Sequence, residues 1–182
     1  MTDAAQMTQF DAVAVGRRVL TAEADALRLQ ADTLGEAFEK AVDLLYAAKG
    51  RVICTGMGKS GHVAKKIAAT FASTGAPAFF VHANEASHGD LGMIAEGDVI
   101  LALSKSGQNQ ELADVIAYSR RFHIPLIALT AFADSPLGQA ADVALLLADA
   151  TEVTSEVKAP TTSTTLQIAI GDALAVALLE RR

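Results

Sequence analysis

Two short stretches concentrate the residue types that hold phosphate and move protons. The first, Gly56-Met57-Gly58-Lys59-Ser60-Gly61, combines three glycines with a lysine and a hydroxyl. The second runs from Ser104 to Glu111 as SKSGQNQE. Glycine lets backbone N–H groups approach an anion, and Ser and Lys supply a hydroxyl donor and a charge, so both stretches read as phosphate loops. Three kinds of phosphate are conceivable. A nucleoside-triphosphate loop needs a glycine five residues before Gly58, where Ile53 stands inside an apolar run, and that reading fails. A dinucleotide fold accepts the G-x-G-x-x-G spacing but wants an acidic residue near the end of the second strand, where the sequence has His82, with Glu85 three residues on. A sugar phosphate would use both loops. Ser104, Ser106 and the amides around Gly107 precede a helix expected to begin near Asn109, whose free N–H groups and dipole favour an anion, and Ser60 adds a hydroxyl from the facing loop.

The elements that must position these loops are an alternation of strands and helices. RVICT, AFFVH, DVILALS, PLIALT and DVALLL are short apolar runs without clean alternation, the pattern of strands covered on both faces. GHVAKKIAATFAS and ELADVIAYSRRF between them have helical periodicity, and a shorter helix is expected near SPLGQAA. Upstream, Phe10 to Leu27 and Leu34 to Leu45 predict two helices, with Thr33 and Glu36 as a capping box before the second and Gly50 at its stop. The expected fold is α/β: a doubly wound three-layer αβα sandwich on a five-stranded parallel sheet in the flavodoxin-like order 2-1-3-4-5. Residues 1–182 form a single domain, with N-terminal helices over 1–50 and the core and C-terminal helix over 51–182. Such sheets bind ligands beyond the carboxyl ends of the strands where the order reverses, here between strands 1 and 3, which sets the two loops face to face.

Composition narrows the function. The chain is long enough to bury roughly two thirds of the surface its unfolded form exposes. Its single cysteine, Cys54, makes no internal disulfide, which fits a reducing, cytoplasmic setting, and nothing positions a base to make it a nucleophile. Fifteen basic against 21 acidic residues give a net charge of -6 without a basic stripe, which argues against nucleic acid as a partner. No basic region leads into an apolar run at the N-terminus, and the apolar segment Leu166 to Leu179, interrupted by Gln167 and Asp172, is expected to be a buried or interface helix rather than a membrane span.

Four separated motifs carry a family resemblance: GMGKSG, STGAPAFFVHANEASHGDLGMI, SKSGQNQEL and APTTSTTLQIAIGDALAVALL. Together they resemble the SIS (sugar isomerase) domain, and specifically the KpsF/GutQ-type arabinose-5-phosphate isomerases, from about Val52 to Leu179. The resemblance implies an aldose–ketose isomerase interconverting D-arabinose 5-phosphate and D-ribulose 5-phosphate for synthesis of the lipopolysaccharide sugar Kdo, acting as a homotetramer with sites between subunits. It places the catalytic residues on Lys59, Glu111 and Glu152, the phosphate serines on Ser60, Ser104 and Ser106, and substrate-contacting histidines on His82 and His88. Gly58, Gly75, Lys105, Gly107 and Asn109 complete the expected ligand-contacting set. It implies no required cofactor, and at most an adventitious or inhibitory zinc at His82. Three departures stand out. Asn109 replaces the loop's usual hydroxyl residue, the loop around Glu152 reads EVTSEVKAPT, and the family's further catalytic His in an SHPGG segment, like its CBS domains, has no counterpart in this sequence.

The chemistry implied is a proton moved between adjacent carbons through an enediol. It needs a base, for which Glu111 and Glu152 are the carboxylates at hand, and a group such as Lys59 to steady the developing oxyanion. Two alternatives remain: a SIS domain that binds a sugar phosphate without turning it over, and another short isomerase such as 6-phospho-3-hexuloisomerase. His62 and His123 read as surface or packing residues.

Overall fold

A computed structural model describes residues 10–154 and 159–182. Strands β1 (Val52–Gly56), β2 (Ala78–His82), β3 (Val99–Leu103), β4 (Leu126–Thr130) and β5 (Val143–Leu146) form one parallel sheet in the order β2-β1-β3-β4-β5, as the strand runs imply. Every residue of β1, β3 and β4 is buried, because helices cover both faces of the central strands, while edge strands β2 and β5 are partly exposed.

The helices are α1 (Ala12–Asp32), α2 (Glu36–Ala47), α3 (Gly58–Ser73), α4 (Ala83–Ser87), α5 (Ala113–Phe122), α6 (Pro136–Ala140) and α7 (Thr162–Arg181). On one face Cys54, Leu101, Leu103, Ile127 and Leu129 pack with Ile67 and Phe71 of α3 and Leu166, Ile170 and Leu174 of α7. On the other, Ile53, Ile100, Ala102 and Ala128 pack with Leu112, Val115 and Leu137. The alternating residues of each strand thus serve two separate cores. Buried Gln30 ties α1 to the β5 edge: its Oε1 accepts from the Ala148 amide at 2.7 Å and its Nε2 donates to the Leu146 carbonyl at 3.1 Å.

Three local details depart from the sequence reading. The capping box at Thr33 and Glu36 does not form. Thr33 has helical dihedrals, φ -90° and ψ -7°, and closes α1 by donating its hydroxyl to the Gln30 carbonyl at 2.7 Å, whereas Gly35 is the N-cap of α2. An N-cap needs extended backbone, which Thr33 lacks. The helix expected near Asn109 begins instead with a 3₁₀ turn, Gln110–Leu112, before α5. Finally, α7 is 20 residues long, longer than the 166–179 run, and by length and composition could cross a membrane. Leu166, Ile170, Leu174 and Leu178 are buried and α7 packs on α1, α2 and α3, so it is a core helix of the sandwich.

Candidate functional site

The register of the sheet brings the two glycine-rich loops together. Gly56, the last residue of β1, pairs with Leu103, the last residue of β3, so the chain leaves both strands at the same height. The turn out of β1 is tight: a Cβ on Gly61 would lie 2.8 Å from the Gly56 carbonyl oxygen, and one on Gly56 would lie 2.9 Å from that of Leu103. Glycine at both places lets the first turn of α3 press against the strand ends. That turn carries Gly58, Lys59 and Ser60, and its N-cap Met57 makes no side-chain bond to its leading N–H groups.

The facing loop is organised by its own hydroxyls. The Ser104 hydroxyl accepts from the Gly107 amide at 3.1 Å, and that of Ser106 accepts from the Gln108 amide at 3.3 Å. Both hydroxyls then donate to Asn109 Oδ1, at 3.3 and 3.4 Å. These are long bonds, readily exchanged for a better acceptor such as a phosphate oxygen. Ser60, Ser104, Lys105, Ser106, Asn109 and Phe132 line a depression of about 370 Å³, which joins α3 to the 104–109 loop as the strand order requires. Phe132 has no place in the sequence reading; it arrives from the loop after β4.

Glu152 is held from the opposite side. Its Oε1 accepts from Lys105 Nζ at 2.7 Å and from the Ser163 hydroxyl at 2.5 Å. Its Oε2 accepts from the Thr161 amide at 2.8 Å, the Thr161 hydroxyl at 3.2 Å and the Ser163 amide at 3.3 Å. The carboxylate therefore caps α7, whose N-cap Thr161 makes no capping bond of its own. Burial by itself would raise the Glu152 pKa, but the Lys105 ammonium, the Ser163 hydroxyl and the two amides outweigh it and bring the group down from 4.5 to about 2. A carboxylate so stabilised is a weak proton acceptor near neutral pH. The APTTSTT run contained the signal for Thr161 and Ser163, as a cluster of hydroxyls just ahead of an apolar helix.

The remaining expected residues scatter more widely. Lys59 is exposed on the first turn of α3, beside the depression but outside its lining. Glu111 is exposed on the 3₁₀ turn and borders an adjoining shallow depression with Gln108, Asn109 and Gln110. His82 ends β2 level with Gly56, with Nδ1 accepting from the Asn84 amide at 3.3 Å. His88 is exposed at the C-cap of α4. Gly75 stands apart from the other expected ligand contacts. It follows α3, which runs antiparallel to the strands, and its carbonyl accepts from Arg182 at 2.7 Å at the far end of α7. The crevice of this chain therefore does not include it. Among the described residues no group of three or more His, Cys, Asp or Glu side chains is arranged to hold a metal ion, and residues 155–158 of the loop after Glu152 lie outside the described residues.

Comparison with known proteins places this geometry. The model of the SIS domain family matches residues 44–177. The chain is 50% identical over 173 residues to "Arabinose 5-phosphate isomerase KdsD" of Pseudomonas aeruginosa, covering 95% of this chain and 53% of that protein. It is 46% identical over 173 residues to the KdsD of Escherichia coli K12, with coverages of 95% and 53%. The chain thus spans about half the length of the curated relatives it matches. Among solved structures, the E. coli CFT073 protein c3406 in complex with A5P superposes with a TM-score of 0.91 at 35% identity, covering 96% of this chain and 93% of that one. The parallel sheet in 2-1-3-4-5 order, the paired loops over its reversal point and the match across 44–177 lead to one conclusion: the chain belongs to the SIS domain family.

Proposed function

We propose that this chain is a phosphosugar aldose–ketose isomerase that interconverts D-arabinose 5-phosphate and D-ribulose 5-phosphate through an enediol. The observation that carries the reading is the depression in which Ser60 faces Ser104, Lys105 and Ser106 across the reversal point of the sheet. It offers hydroxyls, a cation and an uncapped helix start to one phosphate. The names of the KdsD relatives and the A5P bound to c3406 supply the substrate class. In this reading the phosphate is the handle that orients the reacting carbons, Lys59 steadies the enediol oxygen and Glu111 is the exposed carboxylate with room to accept a proton. No cofactor is required, and His82 remains at most an incidental zinc contact. The reading carries with it a cytoplasmic homo-oligomer. The exposed Val13 and Leu20 along α1 support assembly, and a ligand contact from Gly75 would be made to a neighbouring subunit's site.

The test is incubation with ribulose 5-phosphate in deuterated water, with product and deuterium incorporation followed by NMR. An isomerase forms arabinose 5-phosphate and exchanges or transfers the carbon-bound proton. Binding without product or exchange would leave a sugar-phosphate-binding domain, a reading that the full engagement of Glu152 favours.

A further inference from the structure

We propose that Lys105 is the cation that meets the substrate phosphate and that Glu152 is its positioning residue, not the base that moves the carbon-bound proton. The inference rests on the isomerase reading and assigns tasks within it.

Lys105 sits between the two serines whose hydroxyls converge on Asn109, and it lines the same depression. Its main chain is fixed, because its carbonyl accepts from the Ala131 amide at 2.9 Å and from the Thr130 hydroxyl at 3.2 Å. Only the side chain is left to choose a direction. A lysine stem has many rotamers, and an unrestrained ammonium at a rim spends most of its time in solvent. The 2.7 Å bond to Glu152 selects one direction, and the carboxylate that selects it is anchored to the start of a 20-residue core helix. Loop and helix are thereby coupled through this ion pair.

The same contacts exclude a base role. A carboxylate has about four lone-pair directions, and here five donor contacts use both oxygens. No lone pair is left open towards a substrate C–H. A carboxylate beside a phosphate would also repel it, and the Thr161 and Ser163 amides at the start of α7 together with Lys105 offset that charge. Glu152 can thus stand close to an anion site without opposing it, while Glu111 shares no contact with this network among the described residues and is exposed.

The test is a double-mutant cycle of Glu152→Gln and Lys105→Met. It reads kcat, KM, the inhibition constant of inorganic phosphate and solvent-deuterium exchange at saturating ribulose 5-phosphate. Each single variant is expected to raise KM and the phosphate inhibition constant about tenfold while exchange at saturation falls by less than tenfold. The double variant should be no worse than the poorer single one. Loss of exchange by a hundredfold or more in Glu152→Gln with phosphate inhibition unchanged would make Glu152 the base and overturn the proposal. Additive effects would overturn it too, and so would a lower melting temperature with unaltered kinetic constants, the signature of a helix cap alone. If Glu152→Gln does not fold, Lys105→Met decides alone: an unchanged phosphate constant refutes the proposal, and a raised one sustains it. A wild type that gives no exchange would sink the isomerase reading instead, while phosphate affinities measured by calorimetry would still report whether the two residues are coupled.

Discussion

Glu152 Oε1 lies 2.7 Å from Lys105 Nζ, joining residues 47 positions apart in the chain and tying the loop after β3 to the start of α7. The pair has a pH signature. The folded-state pKa of Glu152 is lowered from 4.5 to about 2, so its stabilising contribution is complete above pH 4.5 and is lost as pH falls towards 2. Because Lys105 is 42% exposed, solvent screening reduces the gain, and about 1–2 kcal/mol is expected at pH 7. Urea midpoints of the wild type and Glu152→Gln should differ at pH 7 and converge between pH 4.5 and 2. A gap that persists at pH 2 would assign the stabilisation to something other than ionised Glu152.

The seam between α3 and α7 has no spare volume at Gly171. A Cβ there would stand 2.4 Å from both Cδ1 and Cγ1 of Ile67, a fully buried side chain. Gly171→Ala is expected to cost about 1–3 kcal/mol through overpacking, despite the better helix propensity of alanine. Adding Ile67→Val, which removes Cδ1 and leaves Cγ1 as a methyl in a smaller side chain that can shift, should recover part of the loss. The check is the melting temperature of the two single variants and the double variant; strict additivity would count against the contact.

Asp98 is 2% exposed and accepts from the Arg51 amide at 2.7 Å, the Ala95 amide at 2.9 Å and Arg51 Nη2 at 3.1 Å. It joins the entries to β1 and β3, so replacing it strands two amides and a guanidinium. Asp98→Ala should cost about 2–4 kcal/mol in chemical denaturation and leave phosphate affinity unchanged, since it lies at the amino ends of the strands.

Cys54 is fully buried in β1, and burial pushes its thiol pKa well above the usual range. The native protein should resist a thiol-specific reagent and react in full once unfolded in urea. Rapid labelling of the folded chain would mean that β1 opens locally.

Strand identity, sheet class and the positions of the two glycine-rich loops were legible in the sequence because they are local. Unbroken apolar runs mark buried central strands, and Gly, Ser and Lys mark anion loops whatever surrounds them. The capping box at Thr33 misled for the complementary reason: two helices meet within three residues, and which one takes the hydroxyl depends on a backbone conformation that the spacing does not encode.

At the site, residue types alone pointed to Ser60, Ser104 and Ser106, and the strand register brought them into one depression. What no pattern could show was the fate of Glu152. In the sequence it is one carboxylate in a polar loop, equal as a base to Glu111. Only the fold brings Lys105, Thr161 and Ser163 around it, and a carboxylate's basicity is set by the donors that surround it rather than by its place in the chain. The sequence determined which groups this protein can use; tertiary structure decided which carboxylate is surrounded by an ammonium, hydroxyls and amides.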